Sequence, residues 1–326
     1  MADSAEEAAV SPKKLPIPLA GMKIREVDIG GPVRFADFGG EGPPFVLVHG
    51  LGGAHVNWMA AGPLLAKHGR VVAVDLAGFG LTPRAGRSAS IHANARLLGR
   101  FLEEVAGTPA LVVGNSMGGM IGILEAAARP QQVAGLVLVD PVLPMAGRRS
   151  DRLVLLAFAA YAVPGVGERF VRSRVAALGP EGLVRETFRY CCADSSSLRE
   201  DIVQAHIEFA RLRERQPWAQ PAFLQGARSL VGLVLRPRTY RSVIRRVRAP
   251  TLLLHGAQDR LVSILSARAT ARLRPDWTFR VLDGVGHLGE LEAPERFAEA
   301  VDTWLEGPGR AALEAASGAE PRAAAS

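Results

Sequence analysis

Residues 111–128 read LVVGNSMGGMIGILEAAA, and the reading of this stretch decides the fold. Leu111, Val112 and Val113 are branched apolar residues that suit a short buried strand, and the run from Met117 to Ala128 suits a buried helix. Between them stands Gly114-Asn115-Ser116-Met117-Gly118, a G-x-S-x-G pattern in the strand-to-helix context that gives it meaning. A strand that turns into a helix within a residue or two leaves no room for β-carbons near the turn, which is why glycine flanks it. Such a turn lifts Ser116 clear of the backbone. It also sets Ser116 at a helix N-terminus, where the Met117 N–H and the positive end of the helix dipole can meet a developing oxyanion.

Strands and helices alternate on either side of this stretch. Upstream, residues 23–29 and 33–38 flank Gly30-Gly31-Pro32 and predict a hairpin at the antiparallel edge of a sheet. The apolar runs 45–48 and 71–74 predict buried strands, closing on His49-Gly50-Leu51-Gly52-Gly53 and Asp75-Leu76-Ala77-Gly78-Phe79-Gly80. Residues 57–67 and 91–106 read as helices, and 135–139 as a strand ending at Asp140-Pro141. Downstream come strand 251–254, helix 263–273, strand 278–282 and helix 294–305. This rhythm implies βαβ units and a mostly parallel α/β sheet.

Between residues 142 and 248 the alternation stops, and helices are expected over 153–163, 180–190, 198–215 and 223–235. Helices inserted after a strand suit a cap over the C-terminal edge of the sheet, where open α/β sheets bind ligands. The organisation expected is thus a core of residues 21–141 and 249–306, a cap of 142–248, and disordered tails at 1–20 and 307–326. Residues 153–163 are too apolar to suggest a surface helix. Leu155 and Phe158 are therefore candidate pocket residues above Ser116, packing within the cap being the alternative.

Composition bounds the function. A chain of 326 residues with 48% hydrophobic and 22% charged residues suits one large α/β domain with an insertion, or two domains. Without an apolar run of about 18 residues or a leader-like N-terminus, a cytoplasmic location is the expectation. Cys191 and Cys192 are adjacent and read as reduced thiols. No spacing of Cys and His suggests a metal, and neither G-x-x-x-x-G-K-[ST] nor G-x-G-x-x-G is present for a nucleotide, so no cofactor is expected. The net charge of +7 is uneven: residues 142–250 hold nineteen Arg, no Lys and nine acidic residues, a balance of +10 that leaves −3 for the remainder. A solvated Arg-rich surface is the plainer reading, and attraction to an anionic substrate or an acidic membrane surface is the other. Aromatic residues do not interleave with these arginines as in a nucleic-acid module, so nucleic acid is not an expected partner.

A serine hydroxyl is a poor nucleophile near neutrality and needs a base with an orienting carboxylate. His287, in Gly284-Val285-Gly286-His287 after the last strand, stands at the same sheet edge as Ser116. His49 and His255 precede glycines at strand ends and suit structural bonds, while His55, His68, His92 and His206 have no supporting pattern. Asp259, in the turn Gly256-Ala257-Gln258-Asp259, is the favoured acid over Asp140, which Pro141 follows. Asp75 reads as structural. Little bulk surrounds Leu51 between Gly50 and Gly52, so its N–H is the candidate second oxyanion donor beside that of Met117.

These motifs, in the order His49-Gly50-Leu51-Gly52-Gly53, Asp75 to Gly80, Gly114 to Gly119, His255 to Asp259 and Gly286-His287, resemble the ordered set of the α/β-hydrolase superfamily over residues 22–305. The resemblance implies an eight-stranded, mostly parallel sheet, a catalytic triad of Ser116, Asp259 and His287, an oxyanion hole of Leu51 and Met117, and a helical lid after the sixth strand. It implies a cofactor-free serine hydrolase but is weakly specific for substrate; with the apolar cap segments, the expected substrate is a small-molecule ester with an apolar acyl group of small to medium size. A carbon–carbon hydrolase of the meta-cleavage type has a similar elbow, and a hydrolase-fold binding protein or cofactor-free haloperoxidase-like chemistry are further readings. Serine at position 116 departs from the dehalogenase and epoxide hydrolase branches, which carry Asp there.

Overall fold

Alternate residues of a strand face opposite sides of a sheet, so a strand covered on both sides must be apolar throughout. The computed structural model, which describes residues 22–146 and 151–317, divides the apolar runs in this way. The strands are β1 (Lys23–Asp28), β2 (Pro32–Gly39), β3 (Pro44–Val48), β4 (Arg70–Val74), β5 (Ala110–Asn115), β6 (Val133–Val139), β7 (Thr251–Gly256) and β8 (Thr278–Leu282). Val46, Val48, Val112 and Leu136 join one hydrophobic core, while Phe45, Leu47, Leu111 and Val137 join a second core on the opposite face. One sheet results, ordered β1-β2-β4-β3-β5-β6-β7-β8. Its strands are parallel except that β2 runs antiparallel to both β1 and β4.

The helices are α1 (Gly62–Leu65), α2 (Ile91–Phe101), α3 (Met117–Ala128), α4 (Arg152–Ala162), α5 (Val166–Cys191), α6 (Glu200–Glu214), α7 (Ala219–Val234), α8 (Pro237–Arg246), α9 (Ile264–Leu273), α10 (Gly289–Glu292), α11 (Pro294–Glu306) and α12 (Arg310–Ser317). Phe101 of α2, Met120 and Ile121 of α3 and Ile244 of α8 cover the first core. Phe297, Val301 and Trp304 of α11 cover the second. The five helices α4 to α8 lie between β6 and β7. The last of them turns back to the sheet: Val243 and Ile244 enter the first core, and Tyr240 donates a 2.7 Å hydrogen bond to the Val142 carbonyl.

Several elements differ from the sequence expectation, each for a local reason. The helix expected over 57–67 is a 3-10 turn, His55–Trp58, followed by α1. Pro63 lies in the first turn of α1, where its missing N–H costs nothing, and a longer helix would have placed it in the interior. The helix expected over 91–106 is α-helical to Phe101 and ends in a π-helical turn, Leu102–Ala106. Helix α5 is longer than residues 180–190 because it continues across a kink at Gly179 (φ 60°) and Pro180. The expected tail at 307–326 contains α12, whose small Ala312 and Ala316 side chains are buried in the second core against Gly135 and Trp304. Alanine-rich composition resembles a tail, but here the small Ala312 side chain packs close against Gly135. Residues 1–21, which include the expected tail at 1–20, and residues 147–150 and 318–326 lie outside the described residues.

Helix α4 overturns a further expectation. None of its residues is fully buried, and Leu155, a candidate pocket residue, is 43% exposed on its outer side. Phe158 is partly buried against the first core.

The tightest point of the fold gives a test. A β-carbon on Gly118 would stand 2.1 Å from the Val48 carbonyl oxygen, whereas one on Gly232 in α7 meets nothing within 4 Å. Gly118→Ala is expected to destabilise the protein by about 3 kcal/mol or more, as overpacking against backbone does. Gly232→Ala is expected to stabilise it by up to about 1 kcal/mol through helix propensity. Chemical denaturation of the two variants checks the contrast.

Candidate active site

Steric exclusion builds the site outward from the elbow. A β-carbon on Gly114 would lie 2.6 Å from the Gly118 backbone, and one on Gly119 2.7 Å from the Pro141 side chain. With this room secured, α3 begins directly after β5 and Ser116 is held at φ 52°, ψ −113°. A non-glycine residue at such φ costs on the order of 1–3 kcal/mol and persists only where neighbours enforce it. Here they do so through hydrogen bonds: the Ser116 N–H donates to Val139 O at 3.0 Å, and its carbonyl accepts from Met120 N at 3.2 Å and Val142 N at 3.1 Å.

The loop after β3 lies against this turn. A β-carbon on Gly50 would stand 2.9 Å from Asn115 Oδ1 and 3.2 Å from Ser116 Cβ, so the loop approaches the serine as closely as glycine permits. Among the described residues, neither the Leu51 nor the Met117 N–H donates to a protein acceptor, which leaves both free for an oxyanion. His49 braces the loop, its Nδ1 donating to Gly50 O at 2.7 Å while its Nε2 accepts from Leu76 N at 3.2 Å. Burial lowers its pKa to about 4, so it stays neutral and structural, as expected. Arg213 of α6 donates to the Gly52 carbonyl, a link between the inserted helices and this loop that no sequence pattern announced.

His287 is buried on the facing loop. Its N–H donates to Cys191 O at 2.5 Å, and its carbonyl accepts from Asn115 Nδ2 at 3.0 Å. Asn115 thus ties the histidine loop directly to the elbow. His287 Nδ1 donates to Asp259 Oδ2 at 2.8 Å, while Asp259 Oδ1 accepts from Leu261 N at 2.7 Å and Val262 N at 3.0 Å. Among the described residues no hydrogen bond runs between the Ser116 hydroxyl and His287. Nδ1 being committed to Asp259, Nε2 is the ring nitrogen left without a bond to that pair.

Three buried acids surround the histidine, and they are not equivalent. Burial alone would raise the Asp259 carboxyl, but the charge and hydrogen bond of His287, with help from His255, hold it below the usual range. Burial and the Asp259 charge push Asp140 well up; its Oδ1 accepts from Gly256 N at 2.7 Å and its Oδ2 has no partner. Glu290, with both carboxylate oxygens buried and unpartnered, is raised by burial to about 8. Burial and neighbouring charge thus favour the protonated forms of Asp140 and Glu290, while Asp259 is held toward its charged form. Burial opposes the protonated form of His287, yet the Asp259 charge and hydrogen bond outweigh it and raise the pKa to about 9. Asp140 lies close by, its carboxylate within 4.8 Å of Asp259 and His287, but it bonds backbone rather than the ring.

His55, His68, His206 and His255 have structural partners. His55 forms a buried pair with Asp75, donating from Nδ1 at 2.9 Å, and Asp75 also accepts from the His55 and Leu81 N–H groups. Asp75 is structural, as expected, whereas the pairing of His55 was not anticipated. His255 contacts Val262 O at 3.0 Å. Cys191 and Cys192 are free and buried. Phe158 meets Tyr161 edge-on at 5.8 Å, Tyr161 meets Phe223 at 5.1 Å, and the Phe223 ring lies 3.3 Å from the β-carbon position of Gly52. Phe158 thus connects to the loop after β3 through two aromatic rings.

Comparison with known proteins gives the same architecture. The chain is 29% identical over 287 residues to a 2-hydroxy-6-oxo-6-(2'-aminophenyl)hexa-2,4-dienoic acid hydrolase of Metapseudomonas resinovorans, covering 86% of this chain and 90% of that one. It is 28% identical over 268 residues to a pimeloyl-[acyl-carrier protein] methyl ester esterase of Aromatoleum aromaticum, covering 81% and 99%. The crystal structure of a haloalkane dehalogenase loop variant from Bradyrhizobium elkanii superposes with a TM-score of 0.73 at 22% identity, covering 92% and 100%, a likeness of fold alone. A family model described as alpha/beta hydrolase fold matches residues 43–294, and the chain belongs to that family.

Proposed function

We propose that the protein is a serine hydrolase that cleaves carboxylic esters of small to medium apolar acyl groups. The observation that carries this reading is the Asp259–His287 pair, tied through Asn115 to a strained Ser116 at the N-terminus of α3. In this reading His287 takes the Ser116 proton through Nε2 as Oγ attacks the ester carbonyl. The tetrahedral oxyanion is met by the Leu51 and Met117 N–H groups, each such donor contributing on the order of 3 kcal/mol. His287 then returns the proton to the leaving alkoxide, and water activated by the same ring releases the acyl group. Asp259 fixes the tautomer and stabilises the imidazolium, while α4 to α7 act as a lid.

A second reading is hydrolysis of a carbon–carbon bond in a dienone acid. It is supported by the similarity to the Metapseudomonas hydrolase and by Arg213 beside the oxyanion loop, a cation within range of an anionic substrate. A panel of p-nitrophenyl esters and dienone acids separates the two. Turnover of esters alone supports the first reading, and preference for dienone acids replaces it with the second.

Three outcomes are expected. Ser116→Ala should lower ester turnover by at least about 10³-fold with the fold intact, since it removes the nucleophile. Unchanged turnover in the purified variant would remove the serine mechanism.

The second concerns charge. His287 must be neutral to accept a proton, and its pKa is raised, so kcat/KM should climb with pH through an apparent pKa above 6.5, toward about 9. Asp259→Asn removes the charge that sustains the protonated ring, so the midpoint should move to lower pH and kcat should fall. Asp140→Asn alters a weaker influence, a side chain that bonds backbone rather than the ring, and should move the midpoint and kcat less than Asp259→Asn does. Equal effects from the two variants would reassign the acid.

The third concerns Phe158. Phe158→Ala should shift kcat/KM between short and long acyl chains by about 1–3 kcal/mol if the aromatic cluster shapes the pocket. A uniform loss that tracks a lower melting temperature would make it a packing residue only.

A further inference from the structure

A helix that is apolar all round is ordinarily buried or surrounded by lipid. Helix α4, RLVLLAFAAYA, is neither in this structure: its Phe158 and Tyr161 turn inward to Phe170 and Phe223, while Leu153 and Leu156 are 59% and 65% exposed. Of the eight large hydrophobic residues exposed among the described residues, seven lie between positions 145 and 178, the eighth being Leu235 at the end of α7. Besides the α4 leucines they are Met145, Val163, Val166 and Leu178. Solvated surfaces scatter such residues, so their confinement to one segment marks a face that meets a partner.

The same segment is positively charged. Residues 145–178 hold six Arg, no Lys and two acidic residues, a balance of +4. Both acids are engaged internally, Asp151 capping α4 at the Leu153 N–H and Glu168 pairing with Arg228 of α7. Arg169 and Arg172, next to the exposed Val166, project from α5 as exposed residues. We infer that the outer face of α4 and the first turns of α5 dock on an anionic lipid bilayer, lying in its plane. Leucine and valine enter the acyl boundary while arginines meet the headgroups, the arrangement of interfacial helices.

Other occupants fit less well. A second copy joined about a two-fold axis would bring this cationic face against itself. Protein interfaces rely on aromatic anchors, and here the aromatic residues of α4 face inward, leaving aliphatic ones outside. No single helix among the described residues is long and apolar enough to cross a membrane, and α4 and α5 meet at a bend of 119°. The two helices together match the length and composition of a bent span, but the exposed Arg169 and Arg172 on α5 favour a position at the headgroups over one in the bilayer interior. Docking would place the lipid on the side of α4 opposite the aromatic residues that lead to the oxyanion loop.

Cosedimentation of the full chain with vesicles tests the inference without recourse to any catalytic reading. Binding to vesicles containing phosphatidylglycerol should exceed binding to pure phosphatidylcholine by about tenfold or more, and should weaken with added salt. The double variant Leu153→Ser/Leu156→Ser should lose about tenfold or more in binding to the anionic vesicles. Arg169→Gln/Arg172→Gln should lose a similar factor while binding neutral vesicles as before. Unchanged melting temperatures show that both variants fold, their side chains being exposed. Absence of cosedimentation with anionic vesicles overturns the proposal, as does binding that neither variant alters. Self-association abolished by the leucine variant with no vesicle binding would instead assign the face to a second copy.

Discussion

The structure depends first on the contact between Gly118 and the end of β3. At that point α3 presses so closely on the Val48 carbonyl that a single methyl group cannot enter. This approach lets the helix start without a loop, and a loopless start forces Ser116 into a left-handed φ. The helix N-terminus then stands beside the loop that follows β3, where Gly50 comes up against Asn115 and Ser116. Glycine here is not a source of flexibility. It allows a rigid packing that side chains would prevent, and the local strain is sustained by hydrogen bonds to β6 and to the segment after it.

Electrostatics adds a second layer of order. Four titratable groups, Asp140, Asp259, Glu290 and His287, are buried together, and ionising all of them would be prohibitive. The cluster resolves by unequal hydrogen bonding. Asp259 receives two backbone N–H groups as well as the imidazole, while Asp140 receives one N–H and Glu290 receives no hydrogen bond to its carboxylate. Charge is therefore favoured on Asp259 over its two neighbours, and the histidine that faces it is biased toward protonation. The same comparison explains why two acids at equivalent strand ends, both plausible from sequence, are not equivalent in space.

The fold was legible in the sequence because it rests on local signals. Apolar strands buried on both faces leave unbroken runs, and the α3 boundaries follow from the elbow and Pro130. Ser116, His287 and Asp259 could be selected by their places at strand ends, and the structure brings the last two into contact. What the sequence withheld depends on partners distant in the chain. Asn115 occupies a variable position of the motif, and its bond to the His287 carbonyl appears only when β5 and the loop after β8 are adjacent. Arg213 was one of nineteen arginines until its helix was placed over Gly52. The burial of α12 was hidden for the opposite reason, since alanine contacts carry no distinctive pattern until Trp304 and Gly135 define the space.

Helix α4 shows the limit of inference from hydrophobicity alone. Its composition predicts burial, and burial would follow if the medium around the protein were always water. The structure separates two apolar faces on one helix: the aromatic face is partly covered by protein, and the aliphatic face is open. Only the first is accounted for by folding. An exposed leucine adds nothing to the stability of the isolated chain, because the unfolded state exposes it as well. The sequence of α4 is therefore explained by folding on one side and by the proposed bilayer contact on the other, and the arginines that made this segment look merely solvated belong to the second explanation.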